Sequence, residues 1–185
     1  YAFTKWQAEE LIMHWVKIYN LPANSLRFFN AYGARSRTSG AYGAVFGVFL
    51  AQKLAGKPLT IVGNGEQTRD FIHVDDLVRA IFKTALSKKI GEIYNVGGGK
   101  EIKVNLISKL IGGKKIYIPK RPGEPKRSLA DISKIKKDLN WRPKIKIEEG
   151  IKDLLSKIEY WKNAPVWTPK SIRKATKTWF KLLSK

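Results

Sequence analysis

Cysteine is absent from the 185 residues, which excludes a disulfide-stapled scaffold and any thiolate metal site. Histidine is nearly absent: His14 and His73 stand far apart in the chain, and no zinc site is expected from them. No apolar run approaches the roughly 20 residues that span a bilayer, and no basic-then-apolar stretch of leader type is seen. A cytoplasmic protein without integral membrane association is therefore expected. Carboxylates are scarce, 15 Asp+Glu against 36 Lys+Arg, for a net charge of +21. The excess is uneven: residues 1–95 hold 12 basic and 7 acidic residues, and residues 96–185 hold 24 and 8. Such a field attracts polyanions, so nucleic acid, anionic lipid and phosphorylated small molecules all come into consideration. The plainer reading is a lysine-rich composition that solvates ordinary helices. At 43% hydrophobic and 28% charged residues the composition is that of a globular chain with a real core.

The chain opens on Tyr1 and goes directly into a helical pattern, with Leu11, Trp15 and Ile18 at helical spacing and a stop at Asn20 and Pro22. This opening suggests a piece of a longer protein. A strand is predicted over 25–29, then a polar, Gly-rich loop over 30–43, and a largely buried helix over 44–55 closed by Gly56. A strand over 59–62 leads into the Gly63-Asn64-Gly65 turn, and Asp75 is the expected N-cap of a helix over 76–86. A buried strand over 92–96 and the turn Gly97-Gly98-Gly99 precede a helix near 103–111 and a strand over 115–118. After a Pro/Gly-rich loop over 119–125, helices are predicted near 132–139, 147–162 and 169–183. Strands alternating with helices argue for an α/β fold with a parallel sheet.

Tyr1 and Lys5 lie four residues apart at the head of a helix, so their side chains project from one face. An ammonium beside a phenol favours the phenolate and lowers its pKa, which suits a proton-transfer group working near neutral pH. In isolation the same spacing also describes a tyrosine packed on a lysine stem. Further along stand Arg27-Phe28-Phe29-Asn30-Ala31-Tyr32-Gly33, then Gly63-Asn64-Gly65-Glu66-Gln67-Thr68-Arg69-Asp70-Phe71-Ile72-His73-Val74-Asp75-Asp76. Tyr94-Asn95-Val96-Gly97, Arg121-Pro122-Gly123-Glu124, Ala130-Asp131 and Leu139-Asn140-Trp141-Arg142-Pro143 follow in order.

Taken together, from Tyr1 to about residue 150, these motifs resemble the extended short-chain dehydrogenase/reductase family, in particular its NAD-dependent nucleotide-sugar epimerases and dehydratases of the UDP-glucose 4-epimerase type. The resemblance implies the C-terminal part of a Rossmann-type parallel sheet interleaved with a small α/β substrate-binding domain. Residues 1–43 would end the NAD-binding domain, 44–73 would enter the substrate lobe, 74–99 would return to the sheet, and 100–185 would complete the substrate lobe and the C-terminal helices. It implies that Tyr1 takes a proton from a sugar hydroxyl while hydride passes to NAD, that Lys5 bonds the nicotinamide ribose, and that Phe29 lies against the cofactor. Asn30, Arg69 and Arg121 would meet the diphosphate of the nucleotide sugar, and Glu124 its ribose. Each residue also has a plainer role: Arg69 pairing with Asp70, Glu66 or a helix end, Arg121 as an exposed loop charge, and Asn30 capping the loop after its strand. Strand alternation places Phe28 and Phe29 on opposite sides, so only one of them can face a cofactor.

Several features are discounted. Gly97-Gly98-Gly99 lacks G-x-G-x-x-G spacing, Asp75-Asp76 is explained by capping, and His73 reads as structural. Lys170, Lys174, Lys177 and Lys181 share one face of the last helix, with Ile172, Trp179 and Leu183 on another, which reads as a solvated helix face. Where the UDP-galactose enzymes carry paired asparagines this sequence has Ala44-Val45, so sugar contacts there are expected to differ. In the family the Gly-rich NAD loop and the catalytic Ser/Thr precede the tyrosine. The 185 residues alone are thus expected to bind NAD poorly and to be inactive. The helix from Tyr1 resembles half of an intersubunit bundle, which implies a homodimer. The function implied is 4-epimerisation of a UDP- or dTDP-hexose through transient C4 oxidation. The alternatives are a nucleotide-sugar 4,6-dehydratase and, in another class, a non-catalytic basic module for RNA or membrane.

Overall fold

The computed structural model describes residues 1–36, 38 and 45–183. Helix α1 (Ala2–Tyr19) ends at Asn20, whose φ of 51° is left-handed, and Pro22 cannot prolong the helix. The chain reverses into β1 (Ser25–Phe28), which pairs in parallel with β5 (Ile93–Val96). After Phe29 the strand resumes as β2 (Asn30–Tyr32), parallel to β4 (Thr68–His73), and β6 (Glu101–Lys103) joins β4 antiparallel. A third pairing, again parallel, joins β3 (Leu59–Val62) to β7 (Lys115–Ile118). The helices between and after the strands are α2 (Val45–Leu54), α3 (Val74–Ala85), α4 (Val104–Ile111), α5 (Ser133–Leu139), α6 (Ile147–Ser156) and α7 (Pro169–Leu183). The fold is mixed α/β with parallel sheets, as expected.

Four boundaries differ from expectation, each for a local reason. The loop expected over 30–43 begins with β2, while residues 37 and 39–44, Ala44 among them, lie outside the described residues. Arg69 sits inside β4, a strand absent from the expected elements; the last four residues of β4 are all buried, so the segment shows no polar alternation to announce it. Helix α3 starts at Val74, and its cap is His73, whose Nδ1 accepts from the Asp75 amide at 3.3 Å. Asp75 is therefore a first-turn residue and not the cap. The helix expected over 147–162 breaks at Lys157 into α6 and a 3-10 turn, Ile158–Trp161.

Two apolar clusters form the interior. One gathers Phe46, Phe49, Leu50, Ile61, Phe71 and Leu154 from α2, β3, β4 and α6. The other gathers Ile72, Leu77, Tyr94, Val96, Ile135 and Trp141 around β5, α3 and α5. Burying each such side chain stabilises by about 1.5–3 kcal/mol. Phe71 and Ile72 are neighbours in β4 yet belong to different clusters, because successive strand residues point to opposite faces. β4 is thus the partition between the two cores.

Two buried carboxylates lock that partition. Asp70 accepts from the amides of Gly98 at 2.5 Å, Gly99 at 3.0 Å and Ala130 at 3.0 Å. Gly98 is required there by close approach, since a Cβ would stand 2.3 Å from the Phe71 carbonyl oxygen. Burial raises the Asp70 pKa, and the three amides pull it back down. Asp76, one residue into the pair ascribed to capping, is also buried. Its carboxylate accepts from the Lys144 and Ile145 amides at 2.9 Å and pairs with Arg79, while its carbonyl accepts from Trp141 Nε1 at 3.2 Å. Asp76 therefore fastens the stretch after α5 to α3, a larger role than capping.

Asp70→Asn would turn an NH2 group toward amide donors. It is expected to lower the unfolding free energy by about 2–4 kcal/mol in urea titrations, whereas an exposed Asp75→Asn stays within about 0.5 kcal/mol.

Candidate functional site

The same alternation along β4 that sends Asp70 and Ile72 to one face sends Arg69 and Phe71 to the other, toward a cavity of about 390 Å³ that Gln67, just before the strand, also lines. Its walls come from α2 (Phe46, Phe49), β3 (Thr60, Val62), the end of β7 (Ile118) and α7 (Ile172, Thr176). Four of the residues picked out in the sequence line it: Asn30, Arg69, Arg121 and Glu124. They arrive from three separate places, the start of β2, the middle of β4 and the loop after β7.

Asn30 donates from Nδ2 to the Asp70 carbonyl at 3.2 Å, which fixes the amide at the cavity edge. Arg69 donates from Nη1 to the Thr68 carbonyl at 2.8 Å and from Nη2 to Glu124 Oε1 at 3.0 Å, with side chains 14% and 25% exposed. Neither alternative partner holds it: Asp70 faces the other lobe, and Glu66 bonds Lys103 at 2.7 Å. The ion pair ties β4 to the loop after β7, and it places Glu124 on Arg69. Arg121 is half-buried rather than an exposed loop charge. Its guanidinium carbon lies 5.8 Å from the centre of the Trp179 ring, within cation–π range. Its Nε is buried and finds no hydrogen-bond acceptor among the described residues. Two guanidinium groups and one carboxylate leave this otherwise largely apolar cavity with positive charge in excess, a lining that suits an anion attached to an apolar or planar body.

Tyr1 and Lys5 do share a face. Lys5 Nζ lies 5.5 Å from the Tyr1 ring centre, and the ring is 93% exposed. Neither residue lines the cavity. Between α1 and β1, Glu9 accepts from Ser25 Oγ at 2.8 Å and from Arg27 Nε at 2.9 Å. Phe29 packs against the cluster of Tyr94 and Trp141 and does not line the cavity either, whereas Phe28 is 49% exposed. The two rings take opposite sides, as strand geometry requires.

Several cavity residues were not singled out in the sequence. Gln67 is two places before Arg69, just ahead of β4, where no strand pattern marks it; its Nε2 donates to the Val62 carbonyl at 2.9 Å. Gln52 does not line the cavity but supports two residues that do: buried in α2, it donates to Thr60 Oγ1 at 2.8 Å and to the Trp167 carbonyl at 2.7 Å. Trp167, Ile172 and Thr176 belong to the C-terminal segment, where spacing predicts an apolar helix face but not what it covers. Among the described residues there is no cluster of metal-ligating side chains, and no helix is long and apolar enough to cross a membrane.

At the edge of the site, β6 is held to β4 and to the chain beyond Glu124 through Glu101. It accepts from Thr68 Oγ1 at 2.7 Å and from Arg127 at 2.9 Å and 2.5 Å. Arg127 first, and Thr68 next, hold the Glu101 pKa down from 4.5 to about 2. A carboxylate depressed in the folded state stabilises it above the unfolded value and loses that contribution as pH falls through the folded one. Glu101→Gln is expected to flatten the acid side of a Tm-versus-pH profile between about pH 4.5 and 2, leaving its slope above pH 6 unchanged.

Comparison with known proteins adds three findings. A family model described as GDP-mannose 4,6 dehydratase matches residues 1–154. Among curated proteins, UDP-glucuronate 4-epimerase of Thermodesulfobacterium geofontis is 39% identical over 160 residues, covering 82% of this chain and 48% of the relative. The dTDP-glucose 4,6-dehydratase of Shigella flexneri is 30% identical over 166 residues, covering 82% and 45%. Among solved structures, a variant of UDP-glucuronic acid 4-epimerase from Bacillus cereus, in complex with UDP-4-deoxy-4-fluoro-glucuronic acid and NAD, superposes with a TM-score of 0.76 at 34% identity. That match covers 88% of this chain and 52% of the other. The chain spans about half the length of the curated relatives it matches. Its mixed α/β fold is that of the C-terminal part of Rossmann-type epimerases and dehydratases.

Proposed function

Since the chain belongs to the GDP-mannose 4,6 dehydratase family, we propose that the complete protein carries out NAD-dependent 4-epimerisation of a nucleotide-activated hexose through transient oxidation at C4. The observation that carries this reading is the convergence of Asn30, Arg69, Arg121 and Glu124 on one cavity. Arg69 and Arg121 grip the diphosphate, where planar guanidinium groups match phosphate oxygens. Asn30 bonds the diphosphate from the cavity edge, and Glu124, already held by Arg69, accepts from the ribose hydroxyls of the nucleotide. The Tyr1 side-chain oxygen, as phenolate, takes the proton of the sugar hydroxyl, with Lys5 beside it on the same helix face. NAD, when bound, supplies the hydride acceptor.

Within this chain the fit to NAD is confined to its nicotinamide end, at Tyr1 and Lys5, with Phe29 the family's third position. The amides of Gly98 and Gly99 are taken by Asp70, so this Gly-rich turn is not a pyrophosphate cradle. The 185 residues alone are therefore inactive in this reading, and the rest of the cofactor site belongs to the complete protein. We assign residues 1–43 and 74–99 to the cofactor-side lobe, and 44–73 with most of 100–185 to the substrate lobe. A homodimer through α1 fits a helix with no buried residue of its own and with Phe3, Trp6, Leu11, Trp15 and Ile18 exposed. A cytoplasmic setting suits a cysteine-free chain.

The relatedness to dTDP-glucose 4,6-dehydratase supports a second reading, loss of water from the oxidised sugar instead of inversion at C4. Incubation of the complete protein with UDP- and dTDP-hexoses separates the two: a C4 epimer is expected, and a 4-keto-6-deoxy product would favour the dehydratase. Tyr1→Phe in that protein is expected to lower kcat by about 10²–10⁴ with KM little changed. For the binding site, calorimetry should show Arg69→Ala and Arg121→Ala each weakening UDP-glucose about 10- to 100-fold, with Lys174→Ala neutral. Equal effects of Arg121→Ala and Lys174→Ala, together with steep salt dependence of RNA binding, would instead favour a basic binding module.

A further inference from the structure

The stretch after residue 154 lies beyond the matched family region, yet it forms one whole side of the cavity. Trp167, Ile172, Ala175 and Thr176 line that side. The stretch is fastened at both ends. Before α7, the Trp167 carbonyl accepts from buried Gln52 at 2.7 Å and Trp167 Nε1 donates to the Thr38 carbonyl at 2.7 Å. Near its end, Trp179 Nε1 donates to the Pro122 carbonyl at 3.0 Å, and the Trp179 ring lies 5.8 Å from the Arg121 guanidinium. Pro122 and Arg121 adjoin one another in the loop that also carries Glu124. One indole therefore restrains both the backbone of that loop and its arginine.

The charge pattern of α7 agrees. Lys170, Lys174 and Lys181 face solvent, and Arg173 and Lys177, also exposed, line a second cavity of about 320 Å³ with Arg121, Ile172 and Phe180. Arg121 lines both cavities, as do Ile118, Ile172 and Thr176. An arginine already laid against a ring loses less rotamer freedom on gripping a phosphate than one free in solvent.

We propose that α7 is a built-in wall of the nucleotide-sugar cavity and that Trp179 is a positioning residue, holding Arg121 for the diphosphate of the substrate. The inference rests on the reading of the cavity given above and goes beyond it, because it assigns a role to a segment outside the family match.

The test is calorimetric titration of the protein with UDP-glucose, UDP and uridine. Trp179→Ala is expected to weaken UDP and UDP-glucose about tenfold while leaving uridine within twofold, because only the diphosphate contact is disturbed. Trp179→Phe keeps a ring beside Arg121 and is expected to stay within about threefold of the parent. In an Arg121→Ala background, Trp179→Ala should add less than a twofold further loss. Ala175→Phe removes no packing, and it should weaken UDP-glucose by narrowing the cavity even if Trp179→Ala fails to fold. Two results would overturn the positioning role: parent-like UDP affinity in Trp179→Ala, or an undiminished tenfold loss in the Arg121→Ala background. Parent-like affinity in Ala175→Phe would overturn the wall. If the parent binds uridine, UDP and UDP-glucose not at all, the nucleotide-sugar reading itself falls, and this inference with it.

Discussion

The Asp70 carboxylate, held by three backbone amides from two distant turns, is the contact on which the rest of the molecule depends. It sits in β4, the strand that separates the two apolar clusters, and it fixes which way that strand faces. Once Asp70 is turned toward Gly98, Gly99 and Ala130, strand alternation leaves Arg69 and Phe71 no choice but the cavity side. A one-residue slip would expose the carboxylate to the apolar cluster around Phe46 and bury Arg69 where no carboxylate awaits it. Register, core and site are thus one decision. The glycines opposite serve the same end, because only a residue without Cβ brings its amide close enough beside the Phe71 carbonyl.

Around that frame the charges divide into two populations. Most of the +21 is spread over helix faces and the C-terminal third, where lysines stand in water and each adds little to stability. The few that matter for the site are withdrawn from solvent and each is held by a specific group: Arg69 by Glu124, Arg121 against Trp179, Glu101 by Arg127 and Thr68. Partial burial strengthens these interactions and also fixes their direction, so the cavity presents guanidinium groups already aimed. In the proposed reading, the surrounding lysines supply a long-range attraction for anions and the half-buried arginines the grip.

Much of this was legible in the order of short motifs. Asn30, Arg69, Arg121 and Glu124 could be singled out because the ordered motifs that carry them resemble those of a known family, and the structure brings all four to one cavity. The helix boundaries at Asn20 and Gly56 were legible too, since asparagine and glycine accept backbone angles that other residues avoid. Less was legible where burial erased the pattern. β4 shows four consecutive buried residues and no alternation, and β6 has only three residues. Asp76 looked like a helix-start acid because its partners, the Lys144 and Ile145 amides, lie almost seventy residues away. Phe29 illustrates the same limit: alternation says that it and Phe28 oppose one another, but not which of them meets the core.

The amino-acid sequence by itself determined the α/β alternation, the family and which polar residue types the cavity would receive, because those depend on local propensity and on residue identity in order. Only the tertiary structure decided that Glu124 belongs to Arg69, that Gly98 and Gly99 serve a carboxylate instead of a phosphate, and that the last helix closes the cavity over Arg121. The physical reason is common to all three. A hydrogen bond or a ring contact is made by whatever group folding brings within a few ångströms, and for these groups that partner lies between 28 and 58 residues along the chain.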